Sequence, residues 1–492
     1  MDRNDKNNEE EIGDQKGYRP PEGLIITPSG MRGRIGDTLT LEPVIRFTKS
    51  FGIWLGTGKR VLVGRDTRST GIMLRNAISA SLNSSGVDVY DVDVCPTPVI
   101  LYYLRKHNFD GAAIVTGSHN PPDYNGVKYL SKTFTFLGHD ELNSINQYFL
   151  SSDPLPDRTW REIGNYNILR INQEYINDIQ NYVNKDIIEQ ADLKVVIDPG
   201  AGAGTGVTDR ILRKLGCEVK VVNAEFANYP EFPRAIEPVS DNLHKLSDTV
   251  KGIGADIGFA HDCDADRVAI VGKNGKIYPE DTTVALLIKY ILETETDEEE
   301  RMKNPPIIVT NSASSLIVEE IARLYNADVI RTPVGERHLA MKMYELIERF
   351  PDRLVFGGEG SSGGFMYPNF NNARDGIYAA AKMCEILAHY GQSLKELLQN
   401  LPKFYSVRNN IRLATSDART ILNRLKGSLE SEGTVYSIID RDIKILDEES
   451  HEWTLIHPSN TEPVLRIITE AKSEERAQAL CDKMSRKIGE IG

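Results

Sequence analysis

Short apolar runs, each ending in a glycine-punctuated polar loop and followed by a stretch of helical periodicity, recur from Leu24 to Leu401. The first group comprises Leu24-Ile25-Ile26, Arg60-Val61-Leu62-Val63-Gly64, residues 87–94 and Ala112-Ala113-Ile114-Val115. A second holds residues 193–197 and 256–261, and a third holds residues 306–310, 327–330 and 354–356. Continuous apolar runs are what strands covered on both faces require, and helical spacings such as Leu74, Ala77, Ile78 and Leu82 supply the covering layers. This alternation confines the chain to an α/β architecture. After Leu401-Pro402 the pattern changes: strands at 406–413 and 435–439, a helix at 416–429, a hairpin at 443–456 and a last helix at 473–488 read as α+β. With 492 residues, too many for one core, the expectation is three similar α/β domains with mixed, mostly parallel sheets plus a smaller C-terminal α+β domain. The expected boundaries are a disordered tail over 1–22, α/β domains over 23–168, 169–273 and 274–402, and the α+β domain over 403–492.

A net charge of −13 argues against non-specific attraction to nucleic acid or to an anionic membrane. No apolar run approaches the length of a bilayer span. Residues 1–16 are rich in Asn, Asp, Glu and Lys and lack the apolar core of a signal peptide. The five cysteines (Cys95, Cys217, Cys263, Cys384, Cys481) form no Cys-x-x-Cys pair, so neither a disulfide framework nor a zinc site is indicated, and a reducing, cytoplasmic setting is expected.

The loops at the strand ends carry the chemistry. After Val115 comes Thr116-Gly117-Ser118-His119-Asn120-Pro121-Pro122, a sharply turning segment that places a hydroxyl where open α/β sheets bind ligands. His119 and Lys128 are near enough in sequence to move a proton. On its own, such a loop is equally compatible with a plain turn. Pro28 to Gly36 reads as a glycine-punctuated loop in which Arg32 could approach a phosphate, whereas Arg34 reads as solvated. Arg65-Asp66-Thr67-Arg68 reads as an internally paired structural turn. The glycines of Asp198 to Gly206 miss the Gly-x-Gly-x-x-Gly register of a dinucleotide site.

At the end of the 256–261 run stand Asp262, Asp264 and Asp266, three carboxylates at alternate positions that would repel one another without a cation. An EF-hand is excluded, since its sixth position would be Arg267 and its twelfth Lys273. A solvated acidic turn is the alternative. Glu359-Gly360-Ser361-Ser362-Gly363-Gly364 formally contains a Gly-x-Ser-x-Gly elbow around Ser362, but no helical signal follows at once. Finally, residues 457–466 (His-Pro-Ser-Asn-Thr-Glu-Pro-Val-Leu-Arg) combine small polar side chains with an arginine, the makings of an anion cradle.

In this order the four loops resemble those of the α-D-phosphohexomutases: the phosphoserine loop Thr-Gly-Ser-His-Asn-Pro, the metal loop Asp-x-Asp-Ala-Asp-Arg, the sugar loop Glu-x-Ser and the phosphate loop Pro-Ser-Asn-Thr-Glu-Pro. The resemblance covers almost the whole chain from Leu24. It implies a phosphohexomutase interconverting the 1- and 6-phosphates of glucose and/or mannose, with phosphoglucosamine as the alternative substrate. It further implies a phosphorylated Ser118 and one Mg²⁺ held by Asp262, Asp264 and Asp266 together with Ser118. Arg32 and Arg267 would neutralise charge, and Lys128 or His119 would handle the proton. Glu359 and Ser361 would read sugar hydroxyls, Ser459, Asn460, Thr461 and Arg466 would hold the non-reacting phosphate, and a hexose 1,6-bisphosphate would activate. Three departures stand out: Cys263 replaces the usual Gly or Pro, His457 the usual Arg, and the histidine that often follows the sugar loop is absent, with an extra serine nearby. The rival classes are a serine hydrolase built on Ser362 and a non-catalytic sugar-phosphate sensor. Oligomeric state is left open.

Overall fold

The computed structural model describes residues 17–133, 135–360, 363–413, 418–458 and 464–491. Four sheets follow one another along the chain. The first contains β1 (Ile25–Thr27), β2 (Gly30–Arg34), β3 (Arg60–Arg65), β4 (Asp88–Val94), β5 (Gly111–Val115), β6 (Tyr124–Ser131) and β7 (Tyr166–Ile168), in the spatial order β1-β2-β6-β5-β3-β4-β7. The second contains β8 (Lys194–Asp198), β9 (Glu218–Val221), β10 (Ile257–His261), β11 (Val268–Gly272) and β12 (Ile277–Tyr278), ordered β12-β11-β10-β8-β9. The third orders β13 (Ile307–Asn311), β14 (Asp328–Thr332), β15 (Val355–Glu359) and β16 (Gly364–Met366) as β14-β13-β15-β16. In each of these three, parallel pairs such as β3 with β5, β8 with β10 and β13 with β15 adjoin an antiparallel edge. The fourth sheet holds β17 (Tyr405–Arg412), β18 (Ser437–Ile439), β19 (Asp442–Asp447), β20 (Glu452–Pro458) and β21 (Val464–Ala471), all antiparallel. Three α/β/α units and a C-terminal α+β unit are therefore present.

Apolar runs bury as the patterning requires. Val61, Leu62 and Val63, Val195 and Val196, and Ile308 and Val309 are fully excluded from solvent. One apolar cluster continues beneath all three α/β units, from Leu62 through Ile197 to Phe356. The C-terminal unit has its own core around Leu425, Ile443, Ile456 and Ile467, and docks on the third unit where Trp453 and Leu455 meet Ala313 and Leu316.

Two local expectations change. Residues 30–34, read as loop from their glycines, form a strand that pairs β1 on one side and β6 on the other, with Arg32 opposite Gly126 beside the serine loop. Within the segment expected to be tail, Tyr18 stacks edge-on against Phe149 with the Arg46 guanidinium over its ring, an apolar face and a cation that the local composition does not reveal. Ser362 lies outside the described residues, and the strands on either side, β15 and β16, pair antiparallel with Glu359 opposite Gly364. A nucleophile elbow needs a strand-to-helix turn, so the hydrolase reading of Ser362 loses its scaffold.

The buried helix Gly376–Tyr390 starts at Asp375, whose carboxylate caps the Tyr378 N–H at 2.9 Å. Its first residue touches the metal loop: a Cβ on Gly376 would collide with the backbone carbonyl of Arg267. Gly376→Ala is accordingly expected to cost about 1–3 kcal/mol of stability through overpacking, read from the urea midpoint, with a matching loss of activity as the loop shifts.

Candidate active site

The serine loop is built around one buried ion pair. Asp66 and Arg68, at the end of β3, are almost wholly excluded from solvent and meet at 3.2 Å. Asp66 accepts from the Thr116 hydroxyl at 2.8 Å and the Gly117 N–H at 3.3 Å. The Arg68 guanidinium donates to the carbonyls of Ser118 (2.8 Å), Asn120 (2.7 Å), Pro121 (2.7 Å) and Tyr124 (3.1 Å). A loop whose carbonyls converge on a single cation has little freedom to open. Ser118 itself is buried and sits at φ +50°, a left-handed conformation that costs a non-glycine residue roughly 1–2 kcal/mol. The turn read as internally paired is so paired, and it also shapes the loop that carries the serine.

Across the interface between the first two units, the Ser118 hydroxyl donates to Asp262 Oδ2 at 3.2 Å. Asp262, Asp264 and Asp266 are all buried and offer oxygens within 4.8 Å of one another. Asp264 Oδ2 accepts from the Thr97 hydroxyl at 2.7 Å and from Lys128 Nζ at 2.8 Å, while Asp266 Oδ2 accepts from Lys128 at 3.2 Å and Arg374 at 2.6 Å. The other oxygens, Asp264 Oδ1 and Asp266 Oδ1, have no hydrogen-bond partner among the described residues. Burial, then repulsion from Asp266 and Asp264, pushes the Asp262 carboxyl well above the usual carboxylate range. Burial acts the same way on Asp266, but Arg374, Lys128 and Arg267 outweigh it and hold that carboxyl well below the range. Orphaned, hard, all-oxygen donors beside a disfavoured carboxylate are what a divalent cation such as Mg²⁺ satisfies, so this donor set fits one.

The loop tolerates its unusual cysteine because the left-handed residue is Ala265, at φ +58°, and not Cys263. The Cys263 carbonyl accepts the Ala203 N–H at 2.8 Å, which joins the metal loop to the glycine-rich turn after β8. His261 spans the loop's base, its ring nitrogens 2.9 Å from the Arg267 carbonyl and 3.0 Å from the Thr208 hydroxyl.

Around Ser118 the field is strongly positive. His119 Nδ1 lies 3.4 Å from the serine Oγ. Burial, followed by Arg267, Arg32 and Arg374, drives the His119 pKa down to about 2, which disfavours the charged ring. Lys128 is buried too, yet Asp264 and Asp266 hold its ammonium above the usual lysine range. Arg32 donates to Asn120 at 3.2 Å, and Arg267 Nε stands 3.8 Å from Asp266 and 4.0 Å from Asp262.

Glu359 is buried at the end of β15 and accepts from Asn311 Nδ2 (3.0 Å), the Gly335 N–H (2.8 Å) and Arg374 Nη1 (2.8 Å). Arg374 thus joins the sugar loop to the metal loop, with Glu336 3.4 Å away. In the sequence Arg374 carries no local signal beyond its place beside the Asp375 cap. Arg466 stands exposed on β21 opposite His457, whose Nδ1 is 2.6 Å from Asp442 Oδ1. Ser361, Ser459, Asn460 and Thr461 lie outside the described residues. The structure therefore gathers Ser118, His119, Lys128, Arg32, Arg267, the three aspartates and Glu359 into one connected constellation.

The comparisons with known proteins follow the same division of the chain. Models of the phosphoglucomutase/phosphomannomutase family match in order: alpha/beta/alpha domain I over residues 24–155, domain II over 173–275, domain III over 279–405 and the C-terminal domain over 433–487. A phosphoglucomutase/phosphomannomutase of Thermococcus kodakarensis is 35% identical over 461 residues, covering 93% of this chain and 96% of the relative. A probable phosphoglucosamine mutase of Methanopyrus kandleri is 34% identical, covering 94% and 97%. Among solved structures, a phosphoglucomutase/phosphomannomutase family protein from Burkholderia thailandensis superposes with a TM-score of 0.78 at 25% identity, covering 95% of this chain and 97% of the other. Among the described residues, no helix is long and apolar enough to cross a membrane.

Proposed function

Because this chain belongs to the phosphoglucomutase/phosphomannomutase family, we propose that it interconverts hexose 1-phosphate and hexose 6-phosphate, of glucose and/or mannose, through a phosphoserine at Ser118. The observation that carries this reading is the 3.2 Å contact between the Ser118 hydroxyl and a buried aspartate triad on a different sheet.

Ser118 carries the phosphoryl group in the resting enzyme, with about −1.5 to −2 charges to be compensated. Arg32 and Arg267 compensate part of it, and Arg374 adds to the positive field felt beside the serine. Mg²⁺ bound by Asp262, Asp264, Asp266 and the phosphorylated serine would supply the remaining charge neutralisation. A free sugar hydroxyl attacks the phosphorus, Lys128 or His119 handles its proton, and the serine oxygen leaves. The bisphosphorylated sugar turns over and returns its other phosphoryl group to Ser118, so a trace of hexose 1,6-bisphosphate keeps the enzyme charged. Glu359, fixed by Asn311, Gly335 and Arg374, reads the ring hydroxyls with Ser361. Ser459, Asn460, Thr461 and Arg466 hold the phosphate that is not reacting. The five cysteines are free, in keeping with a reducing cytoplasmic setting. A sugar-phosphate sensor would have no use for a strained serine held at a cation site.

Phosphoglucosamine mutase is the second reading, favoured by relatives such as the Methanopyrus kandleri protein. Isomerisation of the 1-phosphates of glucose, mannose and glucosamine, compared by kcat/KM with Mg²⁺ and the matching bisphosphate present, decides between them. Turnover of none of the three would sink the hexomutase reading. Removing divalent cations with a chelator is expected to abolish turnover and Mg²⁺ to restore it. Mg²⁺ should also raise the melting temperature of the chelated protein, because binding to the folded triad alone stabilises it; an unchanged melting temperature would place the metal elsewhere.

A further inference from the structure

The helix Thr97–Lys106 of the first unit opens on Pro96-Thr97-Pro98. Thr97 is fully buried, and a proline on either side restricts the backbone that carries it. It reaches the metal loop of the second unit twice. Its N–H donates to the Asp264 carbonyl at 3.0 Å, and its hydroxyl donates to Asp264 Oδ2 at 2.7 Å. Lys128 on β6 donates to the same Oδ2 at 2.8 Å and to Asp266 Oδ2 at 3.2 Å. Arg374 of the third unit completes the row, donating to Asp266 Oδ2 at 2.6 Å. The outcome is one-sided. In both carboxylates Oδ2 is taken by donors, whereas Oδ1 is buried and has no hydrogen-bond partner among the described residues.

We propose that Thr97 is a positioning residue for the metal loop: by occupying Oδ2 it leaves Asp264 a single free oxygen, so that this carboxylate meets a cation through Oδ1 alone and the site is biased toward Mg²⁺ against Ca²⁺. The chemistry lies in how the two ions use carboxylates. Ca²⁺ takes about six to eight oxygens in a flexible shell and accepts both oxygens of one carboxylate. Mg²⁺ demands a near-ideal octahedron at about 2.0–2.1 Å, which the narrow bite of a two-oxygen carboxylate strains. A donor on the far oxygen of a ligating carboxylate sets its orientation, and its loss typically costs about 10–100-fold in metal affinity. Lys128 and Arg374 act on Oδ2 atoms in the same way, but replacing either would also remove a charge from the site. Thr97 is neutral, so changing it separates orientation from field. The proposal rests on the reading of Asp262, Asp264 and Asp266 as a cation site.

The test is calorimetric titration of Mg²⁺ and of Ca²⁺ into wild type, Thr97→Val and Thr97→Ser, each freed of metal with a chelator and matched for Ser118 phosphorylation by mass spectrometry. Thr97→Val deletes the hydroxyl and keeps the N–H that holds the Asp264 carbonyl. It is expected to weaken Mg²⁺ about tenfold and Ca²⁺ less than about twofold, which shifts the ratio of the two dissociation constants toward Ca²⁺. Thr97→Ser restores the hydroxyl and should restore the ratio. Equal losses for both ions would mean that Thr97 only joins the two units, and would overturn the proposal; so would unchanged Mg²⁺ binding. If Thr97→Val fails to fold, Thr97→Cys, whose thiol is a weak donor, should give the same shift. Wild type that binds neither ion would defeat the metal reading and this proposal with it, whereas wild type that binds Mg²⁺ with an unshifted ratio in the variants would defeat this inference alone.

Discussion

Replacing Ser118 with alanine is expected to lower hexose 1-phosphate turnover by at least about 10³-fold, because a covalent route has no second nucleophile to fall back on. Stability should barely change. The hydroxyl is one small group whose contacts are to Asp262 and His119, and alanine inherits the same φ of +50° that serine already tolerates. A coupled assay for the 6-phosphate and a thermal melt separate the two effects. Activity within about tenfold of wild type would contradict a phosphoserine route.

The second large effect concerns the residues beneath that serine. Arg68→Met leaves Asp66 as a buried, unpaired carboxylate and four loop carbonyls without their donor, a loss of about 3–5 kcal/mol on the scale of a broken buried ion pair. Asp66→Asn should cost less, since the amide can still accept from Thr116 and Gly117. Activity is expected to fall in both variants in step with protection of the loop amides from hydrogen exchange. A cost below about 1 kcal/mol for Arg68→Met, typical of exposed pairs, would show that the loop holds its shape without the cation.

What the sequence discloses and what it hides divide along contact range. Ser118 and the Asp262-Asp264-Asp266 triplet were legible because each lies within a few residues of the strand that presents it. Arg374 was not, because its meaning lies in Asp266, 108 residues away, and in Glu359 across a hairpin. The same holds for Asp66, whose partners Thr116 and Gly117 lie in the loop after another strand, β5. The misread segment 28–36 has a different cause: glycine there signals crowding by a neighbouring strand. Gly30 sits at φ +120°, and a Cβ there would strike the Val127 carbonyl of β6. Cys263 departs from the usual Gly or Pro without straining the metal loop's turn, because the left-handed step falls two residues later, at Ala265. The order of apolar runs sufficed for three α/β units and a different C-terminal unit, since periodicity is a local property.

The central claim, that Ser118 carries and returns a phosphoryl group, is tested most directly by mass spectrometry of the protein after exposure to hexose 1,6-bisphosphate. The account predicts one added phosphoryl group, located on the peptide containing Ser118. That group should be lost when unlabelled hexose monophosphate is added, with the bisphosphate appearing in solution. A protein that takes up no phosphoryl group, or takes it on another residue, or keeps it in the presence of the sugar phosphate, would contradict the mechanism.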